Sequence, residues 1–453
     1  MSTVTSSATP VPEIPRTPMV TGRADQGTAA DPVPQDQRIT ALDTLRGFAL
    51  LGILLMNIVD FGLYREAYNN PTSAGGSTGV NLWIWAVLSV LAEGKMRCLF
   101  TLVFGASVVL LTSRREGRED AADLYYRRTL WLLVAGLAHA YLLWHGEVLY
   151  YYALCGLVLY PFRKLRPRAL IMAALICVLA TVGWSVMTGY QKRCEIADGK
   201  AALEKLANKV SLTDKEKSAK ETWEKAAKER NPSAEDLAED AKAWQGNFIS
   251  VVKARGEVVF KWHTFAYYHQ WNFDIWGMMF LGMALFKWGV LSALKSFRFY
   301  LIMAAVGYGV GIPLGIFRAA WLITADFNPA AEMYSGTLYD IQRLSVALGH
   351  LALLLILCQR GWLRWLTSRL GAIGQLALTN YVMQSILCAF VFTGYGFGLY
   401  GRLERYQLYY VVAVVWALQW LVSPIWLRHF RFGPLEWCWR ALTYWKRPPF
   451  RRG

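Results

Sequence analysis

The sequence predicts an all-α membrane protein, a bundle of about ten transmembrane helices with an extra interfacial or re-entrant helix and an external helical insertion. The 453 residues are 55% hydrophobic and 14% aromatic. Several apolar runs reach or approach the roughly 20 residues that a helix needs to cross a bilayer. These runs are apolar on every face, whereas a soluble protein of this length would show amphipathic stripes.

Ten predicted spans follow one another and divide the chain into five regions. The spans lie near residues 42–62, 96–113, 128–145, 147–162, 169–190, 271–289, 298–321, 338–358, 371–394 and 406–427. The regions are a disordered cytoplasmic tail (1–37), an N-terminal transmembrane half (38–190), an external charged helical insertion (191–256), a C-terminal transmembrane half (257–427), and a cytoplasmic interfacial helix and tail (428–453). The first region is rich in Pro, Thr, Ser and Asp, which is typical of disorder.

Positive charge indicates the orientation of these spans. Lys and Arg collect in alternate short loops and in the C-terminal tail, whereas residues 323–337 contain neither. Because basic loops stay in the cytoplasm, both termini are predicted to be cytoplasmic. Residues 81–91 are also apolar, but counting them as a span would invert every later loop. We therefore predict an interfacial or re-entrant helix there, on the outer side.

The net charge of +16 does not indicate nucleic-acid binding, because the basic residues lie in short loops between apolar runs. The seven cysteines form no CxxC pair, so neither a disulfide framework nor a metal site is predicted. The expected partners are the lipid bilayer and a small-molecule substrate, and a homo-oligomer is compatible with the sequence.

The 191–256 insertion differs from the rest of the chain. Over residues 191–255, 14 Lys and Arg accompany 12 Asp and Glu, so the segment is nearly neutral and strongly polar. It predicts a solvated helix pair, broken near Asn231-Pro232. A role as a lid or a partner-binding element is an alternative to a plain solvated insertion.

Two polar residues of the first span indicate a polar axis inside the bundle. Asn57 follows Arg46 by 11 residues, about three helical turns, so both lie on one helix face. Polar groups at membrane depth require partners in the protein interior. Arg46 is either an arginine that snorkels to the cytoplasmic surface or, with the loop residue Arg114, a phosphate clamp for an anionic donor.

A second polar group lies where the third and fourth spans meet. His145 and Glu147 mark the outer turn between them, and His139 is six residues deeper, roughly 9 Å along a helix. A neutral imidazole at that depth can accept a proton from a hydroxyl or amine, as a general base does. A histidine that only bridges helices by hydrogen bonds is an equal alternative.

Two further groups of polar residues have open roles. Glu93 and Arg97 fall near the same outer mouth, where they either bind a polar acceptor or pair to hold the turn. In the ninth span Asn380 and Gln384 are one turn apart. They either join helices or line the same axis as Arg46.

Several stretches resemble the YeiB-like family of bacterial membrane proteins. They comprise residues 38–57, 93–100 with 104–106, 139 with 144–156, 377–385 and 432–437. The resemblance covers residues 38–446 except the insertion. That family is itself similar to the transmembrane acyltransferase superfamily, which includes heparan-glucosaminide N-acetyltransferase. The resemblance implies a protein of the bacterial cytoplasmic (inner) membrane that moves an acyl group, usually acetyl, from cytoplasmic acetyl-CoA or another acyl-CoA to an acceptor across the membrane.

The resemblance also implies roles for individual residues. Asn57 stands where the O-acetyltransferase branch has His, and Glu147 replaces a more usual Asp. We therefore expect His139 to be the base and Asn57 to donate a hydrogen bond to the developing oxyanion. The expected donor-binding residues are Arg46, Arg114, Asn380 and Gln384. The expected acceptor-binding residues are Glu93, Arg97, Trp144, His145 and Glu147, for a small-molecule or glycan acceptor carrying a hydroxyl or amine.

Two other function classes remain open. In a transporter or exporter of a small polar molecule, the same polar axis would line a route rather than a reaction site. The absence of paired, interrupted spans in the sequence weighs mildly against it. A scaffold that presents the insertion outside the cell is a third alternative.

Overall fold

A computed structural model describes residues 40–264 and 271–452, and this part of the chain is almost entirely helical. Its only β pairing is one isolated bridge between Phe430 and Arg451. The predicted disordered tail, residues 1–37, lies outside the described residues. The helices are α1 (Thr40–Gly62), α2 (Gly79–Leu91), α3 (Lys95–Ser113), α4 (Ala121–Leu142), α5 (Leu149–Leu159), α6 (Pro167–Ala207), α7 (Asp214–Arg230), α8 (Ala234–Trp244), α9 (Phe248–Lys261), α10 (Asn272–Lys287), α11 (Phe297–Thr324), α12 (Pro329–Arg360), α13 (Arg364–Gln375), α14 (Ala377–Phe392), α15 (Arg405–His429) and α16 (Pro434–Tyr444).

Within the described residues, six helical segments are long and apolar enough to cross a membrane. They are Thr40–Gly62, Gly79–Ser113, Pro167–Ala207, Phe297–Thr324, Ser335–Arg360 and Arg405–His429. These segments confirm a polytopic helical membrane protein, but the predicted count of ten spans is not confirmed. For example, α5 has 11 residues, about 16 Å of helix, which is short of the ~30 Å hydrocarbon core.

Two predicted spans have a different form in the structure. The predicted span 371–394 is a broken pair, α13 and α14, which meet with a bend of 82° and would make a seventh span if counted as one. The predicted span 169–190 continues as α6 to Ala207, for 41 residues in all. The C-terminal part of α6 therefore belongs to the insertion.

The predicted extra helix corresponds to α2. Only residues 92–94 separate it from α3, where Gly94 adopts a left-handed φ of 71° that favours glycine. Together the two helices form the 35-residue apolar segment Gly79–Ser113. Trp83 of α2 is 72% exposed, as a lipid-facing or interfacial indole would be.

Helix α1 lies at the centre of the bundle and contacts α3, α12, α13, α14 and α15. Its closest approach is to α13, through glycines of both helices. A methyl group on Gly47 would lie 2.0 Å from the Leu370 carbonyl oxygen, and one on Gly374 would lie 1.9 Å from the Asp43 carbonyl oxygen. Small residues allow this contact between backbones. Because α1 is surrounded by other helices and most of its residues are buried, its polar face points into protein rather than lipid.

The insertion is mostly exposed, as expected, but its α8–α9 part is docked on the bundle. The helix break predicted near Asn231-Pro232 is confirmed between α7 and α8. The α8–α9 part then bonds to the loop after α14: Tyr400 Oη donates to Asp240 over 2.6 Å, and the Gly394 amide donates to the Trp244 carbonyl over 3.0 Å. Burial raises the pKa of Asp240 above its ordinary value, while the bond from Tyr400 opposes that rise.

Candidate functional site

One face of α1 lines two separate cavities. Arg46, Leu50 and Ile53 face the first cavity, whereas Ile53, Asn57 and Asp60 face the second. From Arg46 to Asp60 is 14 residues, about 21 Å of helix. We call the first the inner cavity, because α16 and the basic loops predicted to be cytoplasmic surround it. The second is the outer cavity, which the insertion borders.

The inner cavity has a volume of about 520 Å³ and is strongly cationic. Its lining contains six arginines against two carboxylates, Asp43 and Glu436. The arginines are Arg46, Arg114, Arg115, Arg118, Arg128 and Arg440. Guanidinium groups match phosphate oxygens in charge and geometry. This cavity is therefore suited to an anionic ligand with several phosphates.

Arg46 is fixed at the wall of the inner cavity. Its Nη1 donates to Asp43 Oδ1 over 2.7 Å, and its Nη2 donates to Ser107 Oγ over 3.3 Å. The side chain retains 25% exposure. Because one hydrogen-bond partner is on α3, the guanidinium is held toward the cavity and is not extended into the surrounding solvent.

Helix α16 forms one wall of the inner cavity. Its Trp439 ring lies 3.7 Å from the guanidinium carbon of Arg128, and the indole donates to the Arg128 carbonyl over 2.9 Å. Glu436 accepts hydrogen bonds from the Thr379 amide over 3.0 Å and from Thr379 Oγ1 over 2.5 Å, at the start of α14. Burial raises the pKa of Glu436, and these hydrogen bonds oppose the rise.

The deep end of the inner cavity is aromatic and apolar. Phe100, Phe104, Tyr152 and Tyr381 line it. Tyr152 Oη and Thr101 Oγ1 are 2.6 Å apart, so this phenol is satisfied within the protein. The charge of the cavity is thus concentrated at one end, as a ligand with a charged head and a neutral tail requires.

The outer cavity is larger, about 1320 Å³, and carries both signs of charge. Asp274 forms ion pairs with Arg97, at 3.3 Å, and with Arg343. Glu93 accepts a hydrogen bond of 2.8 Å from Tyr339 Oη. These pairs satisfy charges that lie at membrane depth. The cavity is therefore polar without a strong excess of either charge.

The insertion supplies part of the wall of the outer cavity. Lys192 and Lys200 of the extended α6, together with Trp223 of α7, line it. A segment that borders the cavity can influence what enters, and this position is compatible with the lid alternative.

The two cavities meet at Ile53 and Val148, which are the residues common to both linings. Ile53 belongs to α1, and Val148 immediately precedes α5. Both side chains are apolar. The junction therefore separates a cationic space from a mixed polar space by a thin apolar layer.

His139 is not in the lining of either cavity. It is buried, with Nε2 2.8 Å from Ser385 Oγ and Nδ1 paired with Glu147 Oε2. The Glu147 Oε1 atom accepts from the Leu149 amide. This Ser–His–carboxylate chain joins α14, α4 and the start of α5. It lies one layer behind Tyr381, whose ring centroid is 5.0 Å from that of His139.

Of the predicted acceptor residues, Trp144 lines the outer cavity, whereas His145 is buried beside it. The Trp144 ring stacks on Phe61 with centroids 4.6 Å apart. His145 Nε2 lies 2.9 Å from Asp60 Oδ2. The structure thus brings Asn57, Glu93, Arg97 and Trp144 to one cavity, while His145 and Glu147 support its rim from behind.

The two predicted donor residues of α14 face α15, away from both cavities. The Asn380 amide donates to the Ile373 carbonyl over 3.1 Å and to Ser423 Oγ over 3.0 Å. Gln384 Nε2 donates to Gln419 Oε1 over 3.0 Å. These are interhelical hydrogen bonds, so of the predicted donor residues only Arg46 and Arg114 line the inner cavity.

Two polar residues near the cavities, Asp60 and Ser385, were not predicted from the sequence. Asp60 lies three residues beyond Asn57, and this helical spacing could have placed it on the polar face. No pattern could have paired Ser385 with His139, 246 residues away. Within the described residues, no group of three or more His, Cys, Asp or Glu is arranged to hold a metal ion.

Comparison with known proteins identifies the family. The chain is 30% identical over 414 residues to the uncharacterized protein YeiB of Escherichia coli (strain K12), covering 90% of this chain and 96% of that protein. This chain belongs to the YeiB-like family. It is also 28% identical over 433 residues to the uncharacterized protein YxaH of Bacillus subtilis (strain 168), covering 92% and 97% of the two chains.

A family model described as "Protein of unknown function (DUF418)" matches residues 285–446. In this YeiB-like protein that region contains α11 to α16. It supplies Tyr381 and α16 to the inner cavity, and Arg343 to the outer cavity. The polar face of α1 lies outside it. Neither the family description nor the names of these relatives state an activity, so function rests on the geometry of the two cavities.

Proposed function

We propose that this YeiB-like protein is a membrane-embedded acyltransferase. It moves an acyl group, acetyl in the simplest case, from cytoplasmic acyl-CoA to a hydroxyl or amine acceptor on the other side of the bacterial cytoplasmic membrane. The observation that supports this proposal is the meeting of two differently charged cavities at Ile53 and Val148. A donor and an acceptor entering from opposite faces would bring their reacting ends together there.

The inner cavity is the proposed donor site. The phosphates of acyl-CoA would bind the arginines near Arg46 and Arg114, because several guanidinium groups converge at that end. The neutral arm with its thioester would follow the aromatic wall past Tyr152 and Tyr381. This division of charge matches the chemistry of coenzyme A better than that of a simple inorganic anion.

The outer cavity is the proposed acceptor site. Asn57 lies one turn beyond Ile53, so its amide would donate a hydrogen bond to the thioester oxygen as negative charge develops there. The acceptor would enter past Arg97 and Trp144. The apolar layer at the junction would limit water at the reacting carbonyl, which favours transfer over hydrolysis.

His139, Glu147 and Ser385 have a positioning role in this proposal. They are buried behind the cavity walls and bonded to one another. Together they hold the turn that carries Val148 against α14. Replacing one of these residues would leave its polar partner buried without a hydrogen bond, and this would lower the stability of the protein.

Transport of a small polar molecule is the second candidate function. The observation that favours it is the 82° break between α13 and α14, since interrupted helices form substrate sites in many transporters. Against it, the two cavities differ in charge and carry different polar groups. A single substrate passing through would encounter unlike sites on its way.

Reconstituted protein separates the two functions. Proteoliposomes would receive acetyl-CoA labelled in its acetyl group on one side and a mixture of small amines and alcohols on the other. The acyltransferase proposal predicts release of the CoA thiol and label on an acceptor. Counterflow of a polar solute without thiol release would support transport, and acetyl-CoA that neither binds nor reacts would overturn the proposal.

A further inference from the structure

The outer part of the α1 face carries one carboxylate, Asp60. It lines the outer cavity three residues beyond Asn57, about 4.5 Å along the helix axis. The side chain retains 14% exposure. A carboxylate at this point is close to where an acceptor and the thioester carbonyl would meet.

His145 fixes this carboxylate from behind. The His145 Nε2 atom lies 2.9 Å from Asp60 Oδ2, and its ring lies against those of Trp144 and Trp244 with centroids 6.1 and 5.4 Å away. His145 is only 6% exposed. Aromatic packing of this kind restricts rotation of the imidazole. The carboxylate is therefore oriented by a buried partner while it still faces the cavity.

Two other carboxylates of the outer cavity are held by cations or by a phenol. Asp274 is paired with Arg97 and Arg343, and Glu93 accepts the Tyr339 hydroxyl. A carboxylate held by guanidinium groups is a weak proton acceptor, because its charge is already stabilised. Asp60 is bonded instead to the imidazole of His145.

We propose that Asp60, oriented by His145, is the proton acceptor for the hydroxyl or amine that attacks the acyl group. This inference rests on the acyltransferase function proposed above. Asp60 would take the proton of the acceptor as its oxygen or nitrogen bonds to the thioester carbonyl carbon. The carbon–sulfur bond then breaks, and the thiolate of CoA leaves into the inner cavity, where water protonates it. Asp60 returns its proton to water in the outer cavity. His145 is a positioning residue, and the catalytic carboxylate is Asp60 in place of the expected base His139.

The test compares nucleophiles that differ in their need for a base. Hydroxylamine is neutral and strongly nucleophilic at pH 7, whereas ethanolamine is mostly protonated there. The experiment measures CoA thiol release from acetyl-CoA by purified wild type, Asp60→Asn and the exposed control Asp214→Asn, with the protein-free rate subtracted. General-base catalysis contributes about 10²- to 10⁴-fold. Asp60→Asn should therefore lose at least about 100-fold with ethanolamine and less than about threefold with hydroxylamine. Asp214→Asn should match wild type.

Each other outcome overturns the inference in a distinguishable way. Equal loss with both nucleophiles would make Asp60 structural, and no loss with either would remove it from the reaction. A wild-type rate confined to hydroxylamine would also contradict it, because a working base accepts protons from hydroxyl and amine groups. Wild type that releases no thiol with any nucleophile would overturn the proposed function itself.

Discussion

Replacing Arg46 by glutamine tests the donor site. The change removes the positive charge at the wall of the inner cavity and leaves a shorter, neutral side chain that can still form hydrogen bonds. In the structure the guanidinium bonds to Asp43 and Ser107 and is still 25% exposed. We expect the variant to fold normally, because the two contacts that it loses are partly exposed.

The expected loss of donor affinity follows from the value of one charged hydrogen bond. A hydrogen bond to a charged group contributes about 1.5–3 kcal/mol, which corresponds to roughly a 10- to 150-fold change in Kd. Because Arg46 is partly exposed and already paired with Asp43, we expect its contribution to lie near the lower end of this range. We therefore expect CoA to bind about 10- to 30-fold more weakly to Arg46→Gln at physiological salt.

Isothermal titration of the detergent-solubilised protein with CoA measures this change. Arg360→Gln is the matched control, since Arg360 stacks on Phe297 and lies outside both cavity linings. Its affinity should equal that of wild type. An unchanged Kd for Arg46→Gln, or an equal loss in both variants, would refute the assignment of the inner cavity to the donor.

Three other substitutions test residues at the inner cavity, behind its wall and at the junction of the two cavities. Asp43→Asn should tighten CoA binding about two- to fivefold in low-salt titrations, because it removes a carboxylate that competes with phosphate for Arg46; weaker binding would contradict this. His139→Ala should lower the free energy of unfolding by about 3 kcal/mol or more in denaturant titrations, since it leaves Glu147 buried without its partner. Unchanged stability with lost turnover would instead make His139 the base. Ile53→Trp should leave CoA binding within about twofold but abolish acyl transfer by filling the junction, with Ile53→Leu as the volume-conserving control; transfer at the wild-type rate by the tryptophan variant would show that the reaction occurs elsewhere.

The fold class and the polar face of α1 could be predicted from the sequence. Apolar runs identified membrane helices, and the 11-residue spacing placed Arg46 and Asn57 on one face. Helix length was less predictable. Hydropathy continues across the bend between α13 and α14, and it does not reveal that α5 has only 11 residues.

The orientation of side chains on uniformly apolar helices could not be predicted. Asn380 and Gln384 were grouped correctly on one face, but the structure turns that face toward α15. Helical spacing tells which residues share a face, and the neighbour of that face depends on how the helices pack. The contact between Asp240 and Tyr400 could not be predicted for a related reason. The two residues are 160 positions apart in the sequence, and no local pattern links them.

The two-cavity arrangement also explains the distribution of charge in the chain. Arginines concentrate where a polyanion would bind, whereas the outer cavity pairs Asp274 with Arg97 and Arg343. Such pairs keep charges compatible with membrane depth. In the inner cavity six arginines accompany two carboxylates, and this excess of positive charge suits an anionic ligand.

A density map of the protein with acetyl-CoA would show where the donor binds. We expect its phosphates among Arg46, Arg114 and Arg440, with the thioester at the junction of Ile53 and Val148. Density for the phosphates in the outer cavity, or an inner cavity that stays empty at saturating acetyl-CoA, would contradict it.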